Sequence, residues 1–449
     1  MSVRTSLPEK KLAKVLDKVE RAQTRFLRRY PGDSGARQAV HTVYGGAHLF
    51  TAETPKKLGE LAVRALETYA PDAHAFGEAL GIRGELAGTV MQRVRDKLHR
   101  EPVEDFRIDF EDGYGNRPDD EEDGHAAAAG QQVAAGLANN SLPPFIGIRI
   151  KPMTRELAAR SLRTLDVFLT ELVTASNGKL PEHFVVTLPK IQTRADVDVI
   201  VETFDILEDR LDLDHGLLKL EIMVETTQTI ADGQGRNMMP RLHRAAGARL
   251  VSAHFGTYDY TAGYDITAAH QKMRHPACDF AKNAMKIAFA GTGIALSDGA
   301  TNIMPVPVHR NKDLSDAQKR ENRDAVWSAW RLHAEDVRHS LINGFYQGWD
   351  LHPAQLVPRY GSVYAFFLDG LAAASERLKN FVGKAAQATL VGDVFDDAAT
   401  GQGLLNYFLR GIACGAVTEQ EALVTGLSLD EIRSKSFVKI MAARRADTK

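Results

Sequence analysis

Phe145-Ile-Gly-Ile-Arg-Ile150 is a short run in which Ile146, Ile148 and Ile150 fall on one side of an extended chain and Gly147 and Arg149 on the other. Two more runs repeat the pattern. In Lys219–Glu225, Leu220, Ile222 and Val224 oppose Lys219, Glu221, Met223 and Glu225; in Phe106–Glu111, Ile108 and Phe110 oppose Arg107, Asp109 and Glu111. Parallel strands covered by helices on both sides are apolar on both faces. Here one face is apolar and the other carries charge, concentrated toward the carboxyl end of each strand. That suits helices outside and a polar mouth inside, so the predicted fold class is α/β, a (β/α)₈ TIM barrel.

Working outward, eight runs read as strands: Ala39–Tyr44, Phe106–Phe110, Phe145–Ile150, Phe184–Pro189, Lys219–Val224, Leu250–Phe255, Ile294–Ser297 and Trp349–His352. Helical stretches alternate with them. Thr54-Pro55 reads as a helix start followed by an apolar stripe of Leu58, Leu61, Ala62, Ala65 and Leu66. Thr193 opens another, with Val197, Ile200, Val201 and Phe204 on one face. The expected organisation is a helical extension over 1–38, a barrel over 39–383 and a carboxy-terminal helical lid or oligomer segment over 384–449. In that last segment Val391–Thr400 and Leu404–Gly411 are expected to be helical, and Asp313–Asn343 is expected to form a long polar helix or a pair.

Composition narrows the class of function. The chain has 449 residues, 44% of them hydrophobic and 25% charged, which is ample for a globular core. Its formal charge of −2 is spread along the chain, so no basic domain stands out for nucleic acid, and none is expected as a partner. Two cysteines, Cys278 and Cys414, exclude a disulfide framework and a cysteine-rich zinc site. No apolar run approaches the ~18 residues that a membrane span needs. No signal peptide is legible at the amino terminus, and a cytoplasmic protein without membrane partners is expected.

Phosphate-cradling glycine loops, an H-E-x-x-H pair and a G-x-S-x-G elbow are absent. What remains is a set of polar residues at strand ends: Asp109, Glu111, Asp112, Arg149, Lys190, Glu225, Asp259, Asp298 and His352. A barrel would gather them at one mouth. Glu225 and Asp259 could hold a hard divalent cation, their bland alternatives being a helix cap and a solvated loop acid. Arg149 could clamp a carboxylate or an oxyanion, or pair with Asp109 or Glu111; these roles are compatible. Lys190 or Lys151 could form a Schiff base, although a structural ion pair is the simpler reading.

Asp109-Phe-Glu-Asp112 resembles an element of the citrate lyase β-subunit, HpcH/HpaI aldolase and malate synthase superfamily. Further similar pieces follow in chain order: Ile148-Arg-Ile150, Leu188-Pro-Lys190, Val224-Glu-Thr226, Gly256-Thr-Tyr-Asp259, Ser297-Asp-Gly299 and Leu351-His-Pro-Ala-Gln355. Gly45-Gly46 stands where the family has proline-glycine. The resemblance implies a barrel enzyme with Mg²⁺, or Mn²⁺ as an alternative, held by Glu225 and Asp259, and with Arg149 at the substrate. Asp109, Glu111, Asp112, Lys190, Gly256, Thr257, Asp298 and His352 would form the binding and supporting network. It further implies carbon–carbon lyase activity on a small oxo- or hydroxy-acid or its CoA thioester, through a metal-bound keto-acid and an enolate. The alternative is a malate-synthase-like condensation of an acyl-CoA with a 2-keto acid. In Val394-Phe-Asp-Asp-Ala-Ala399, Asp397 aligns best with the family's lid acid and Asp396 is the runner-up, placed to reach a neighbouring subunit in a homo-oligomer.

Overall fold

The structure, a computed structural model, describes residues 6–32, 36–383, 389–391, 394–396, 398–434, 436–437, 439–440 and 443–444. Eight parallel strands close into a barrel: β1 His41–Gly46, β2 Asp105–Asp109, β3 Phe145–Arg149, β4 Phe184–Leu188, β5 Lys219–Val224, β6 Leu250–Phe255, β7 Ala295–Ala300 and β8 Gln347–Asp350. They follow sequence order, and β8 pairs with β1 through His41 and Gly348. All eight expected strands are present, several with ends shifted by one to three residues.

Residue parity divides the barrel as the sequence suggests. Ile146, Ile148, Ile108, Leu220, Ile222 and Val224 are buried in the apolar core. The opposite face fills the barrel and carries charge deep inside as well as at the carboxyl ends, beside a small apolar cluster of Tyr44, Met223, Ala300 and Trp349. Arg107 donates to Glu221 at 2.7 Å and to Thr187 at 3.1 Å, and also pairs with Asp105. Glu221 accepts from Thr187 and Ser252 at 2.7 and 2.6 Å, and His254 Nε2 lies 2.8 Å away. Burying these charges is tolerable because each one is paired and hydrogen-bonded.

The outer helices begin where local chemistry permits. Thr193 and Asp196 form a reciprocal capping box at the start of the helix Arg194–Arg210. The helix Thr54–Tyr69 buries Ala62 and Leu66, whereas Leu61 is exposed and lies off the stripe. Asp316–Ile342 is one continuous helix, opened by a capping box of Ser315 and Gln318.

The carboxy-terminal segment departs from expectation. Thr389–Val391 and Val394–Asp396 form a two-stranded antiparallel hairpin, and helix begins only at Ala398. The described helices beyond it pack at the amino-terminal end of the barrel. There Arg410 donates to Gln38 at 2.6 Å, just before β1, and Arg93 pairs with Glu421 at 2.6 Å. They therefore do not cover the mouth of their own barrel.

Candidate active site

The carboxyl ends of β2, β4, β5 and β6 build an acidic cluster around Arg149 and Lys190. Asp109, the last residue of β2, accepts two bonds from the Arg149 guanidinium, Nε at 2.7 Å and Nη2 at 2.6 Å. It also accepts the backbone N–H groups of Glu111 and Gly113, so both its oxygens are committed. Arg149 Nη1 lies 3.1 Å from Glu111. The guanidinium is stacked over Tyr44 with its carbon 4.8 Å from the ring centre, and Trp349 lies beyond at 6.0 Å.

Lys190 follows Pro189 with φ of +48°, an uncommon conformation for a residue with a side chain. The turn lets one residue serve two purposes. Its backbone N–H donates to Glu225 Oε1 at 2.7 Å, while its ammonium pairs with Glu111, with Asp112 at 3.0 Å and with Asp259 at 3.3 Å. Burial disfavours the charged ammonium, but Glu225 and Glu111 outweigh it, and the net effect holds the lysine firmly protonated. Lys151 is likewise engaged, with Glu122 and the carbonyl of Phe110 at 2.7 Å each. Lys190 is thus not the desolvated neutral amine that a Schiff base needs, and Lys151 is tied up in its ion pair with Glu122, so that reading loses its support.

Glu225 immediately follows β5 and is buried. Its Oε2 has no hydrogen-bond partner among the described residues. Burial, then the nearby charge of Asp259, pushes its carboxyl up to about 8. Gly256 backs it: a Cβ there would sit 2.2 Å from Glu225 Oε2. Asp259 projects from the first turn of the helix Thr257–Gly263. Burial also pushes Glu111 up to about 7, against the opposing pull of Arg149 and Lys190. Together Asp109, Glu111, Asp112, Glu225 and Asp259 outnumber Arg149 and Lys190, a formal surplus of negative charge that a divalent cation would largely offset. The open oxygen and the oxygen-only donor set fit such an ion.

Asp298 is not among the residues brought together. Strand alternation and an irregularity in register between Ser297 and Ala300 turn it outward, where it pairs with Lys282 at 3.0 Å and accepts from Ser340 at 2.6 Å. His352 lies after β8 and spends Nδ1 on capping a short helical turn, accepting from Ala354 N–H at 3.1 Å. Thr257 is buried, with its hydroxyl 3.1 Å from the Met273 sulfur. Asp397 lies outside the described residues, and Asp396 is described only as the last residue of the hairpin.

The aromatic floor was not anticipated. Tyr44 and Trp349 sit with ring centres 4.5 Å apart on the inward faces of β1 and β8, and the Tyr44 hydroxyl is 3.4 Å from His254 Nδ1. The available signal was their inward parity, shared with Arg149. Two other features compete for attention. Asp205, Glu208 and His215 form the one three-residue group among the described residues that could hold a metal, but Arg249 already donates to both acids at 2.6 Å. A cleft of about 1160 Å³ lies at the other end of the barrel, lined by Lys56, Arg64, Arg100 and Pro143 among others. In barrels of this kind that end serves stability, and the chemistry is carried by strand carboxyl ends.

A model of a family described as a domain of unknown function, DUF6986, matches residues 19–440. The chain belongs to the DUF6986 family. No curated protein matches this DUF6986 chain significantly. Its fold is similar to that of a citrate lyase from Burkholderia xenovorans LB400, at 18% identity and a TM-score of 0.53, covering 77% of this chain and 94% of that one. Weaker likenesses include a Haloferax volcanii malate synthase in a magnesium/glyoxylate complex, at 16% identity and a TM-score of 0.45, covering 89% and 98%. Another is an HpcH/HpaI aldolase/citrate lyase family protein from Burkholderia cenocepacia J2315, at 12% identity and a TM-score of 0.39, covering 79% and 98%. At 18% identity the likeness to the citrate lyase shows the barrel fold alone.

Proposed function

We propose that this protein is a divalent-cation-dependent carbon–carbon lyase acting on a small hydroxy- or oxo-acid, free or as its CoA thioester. The observation that carries this reading is the buried carboxylate of Glu225, with one oxygen unpartnered and its charge disfavoured by burial and by Asp259. Glu225 and Asp259 would hold Mg²⁺, or Mn²⁺ in its place. When bound, such an ion supplies Lewis acidity toward the oxygens of an oxo-acid.

The chain's own residues perform the remaining tasks. A guanidinium has five N–H donors. Two of those of Arg149 bond Asp109 and one faces Glu111, which leaves one on each terminal nitrogen for the substrate. These donors are fixed before substrate arrives, as stabilisation of a developing oxyanion requires. Lys190 stays charged and holds Glu111, Asp112 and Asp259 in place. In cleavage, a base accepts the hydroxyl proton of the substrate, a carbonyl forms on that carbon and the carbon–carbon bond breaks. The electron pair passes to the acyl fragment as an enolate, which is then protonated at carbon. We assign this acid–base role to Asp397 of a neighbouring protomer, with Asp396 as runner-up, on the sequence resemblance alone. The same groups serve the reverse condensation of an acyl-CoA with a 2-keto acid.

The test is turnover of a panel of hydroxyacyl thioesters and hydroxy- and oxo-acids, followed by mass spectrometry. Cleavage that stops with a chelator, returns with Mg²⁺ or Mn²⁺, and leaves no borohydride-trapped adduct on Lys190 or Lys151 is expected. Chelator-resistant cleavage with a trapped lysine adduct would establish an aldolase of the other chemical class.

A further inference from the structure

The helix Glu9–Arg29 buries none of its residues, although Leu12, Val15, Leu16, Val19 and Phe26 recur at helical spacing along one side. Its bases exceed its acids, eight (Lys10, Lys11, Lys14, Lys18, Arg21, Arg25, Arg28, Arg29) against three (Glu9, Asp17, Glu20), a formal +5. Four of them, Lys14, Lys18, Arg21 and Arg25, follow the i, i+4, i+7, i+11 spacing of one stripe beside the apolar side. The helix leaves the barrel at its amino-terminal end, where Gly32 N–H donates to Gly291 at 2.8 Å. At about 1.5 Å per residue, its 21 residues reach roughly 30 Å, the breadth of a small domain.

The outer face of the helix Arg194–Arg210 has the complementary pattern. Asp198, Glu202, Asp205 and Asp209 are exposed and follow the same i, i+4, i+7, i+11 spacing. Val199 and Ile206, each one residue beyond an acid of that stripe, are exposed at 40% and 55%. On the basic helix, Val15, Val19, Ala22 and Phe26 hold the matching positions, each one residue beyond a base. This second helix carries six acids and two bases, a formal −4. The acids have only local or edge partners, such as Arg194 at 3.2 Å from Asp198 and Arg249 at 2.6 Å from Asp205.

We infer that the helix Glu9–Arg29 of one protomer docks on the helix Arg194–Arg210 of a second copy of this chain. Two copies of the basic helix repel one another, whereas the acidic helix offers opposite charge and exposed aliphatic groups in matching register. Each protomer holds one donor helix and one acceptor face, so exchange between two copies closes on itself as a symmetric dimer. The apolar side chains supply the buried surface, and the charge stripes set partner and register.

The experiment uses the full chain with K14E/K18E/R21E/R25E in one variant and D198K/E202K/D209K in another. Asp205 is left in place because it also pairs with Arg249. Sedimentation velocity across a concentration series should show a dimer for wild type and at least 10-fold weaker self-association for each variant alone. An equimolar mixture of the two variants should restore the dimer, because each acidic surface then meets a basic one across the interface; that rescue also shows that both variants are folded. A monomeric wild type, variants that associate like wild type, or a mixture that stays monomeric would overturn the proposal. A monomeric wild type that sediments with phosphatidylserine vesicles would assign the basic helix to an anionic lipid surface instead.

Discussion

Arg149 has two of its five N–H groups committed to Asp109 and a terminal nitrogen 3.1 Å from Glu111, while its flat face lies on Tyr44. A lysine there keeps the charge but loses the fork and the stacking. Arg149→Lys is therefore expected to lower kcat/KM at least ~10²-fold, the scale of one oxyanion donor. It should also lower Tm, because Asp109 loses its bidentate partner inside a buried site; steady-state kinetics and a melting curve check the two effects separately. Glu225 makes a prediction about pH. Its carboxyl is raised from the usual 4.5 to about 8, so across that interval the folded protein binds more protons than the unfolded chain. Stability of the cation-free protein should therefore fall as pH rises from about 4.5 to about 8, and level off above. Glu111, raised to about 7, adds to the fall. The diagnostic is thus the difference between wild type and Glu225→Gln in denaturant titrations at several pH values. A slope unchanged by the substitution would show that Glu225 is already ionised in the apo protein.

At the level of loops and strands, the site depends on backbone approach as much as on charge. Gly256 has φ of −99° and ψ of 94°, which any residue can adopt, so Gly256→Ala brings no backbone strain. The added methyl would instead meet the Glu225 carboxylate. Expected is a loss of about 1–3 kcal/mol, typical of overpacking, together with a clear fall in cation affinity as Glu225 is displaced. Calorimetry and denaturation of the same sample test both; wild-type affinity would mean that Glu225 moves freely. The strands were legible because inward and outward residues differ so sharply in Phe145–Arg149 and Lys219–Val224. The antiparallel pair Thr389–Val391 and Val394–Asp396 stands where helix is expected over Val391–Thr400, because acids just before Ala398 resemble a helix start. Asp298 faces outward because strand alternation carries past Ser297, which pairs with the inward-facing His254, so a charge next to a strand end is not by itself a charge at the mouth.

At the scale of the whole molecule, the barrel closes over a polar interior in which Arg107, Glu221, His254 and Asp105 satisfy one another. That network was only half legible, because parity shows which residues point inward but not which of them meet across the barrel. Arg149, Lys190, Glu225 and Asp259 lie together because sequence-distant strand ends converge in this topology, as their strand-end positions imply. Their pairings, and the aromatic floor of Tyr44 and Trp349, needed coordinates. If the surplus of carboxylates at the mouth is a cation site, the ion should stabilise the native fold by mass action. At 100-fold excess over Kd the gain is about 2.7 kcal/mol, visible as a rise in Tm that a chelator reverses. The account's central claim is that Glu225 and Asp259 are the ligands, and calorimetric titration of Mg²⁺ into wild type, Glu225→Gln and Asp259→Asn at pH 8 tests it most directly. The account predicts one site per chain in wild type and at least ~10-fold weaker binding in each variant, all three folded. Equal affinity in all three proteins, or no binding by wild type, would contradict it.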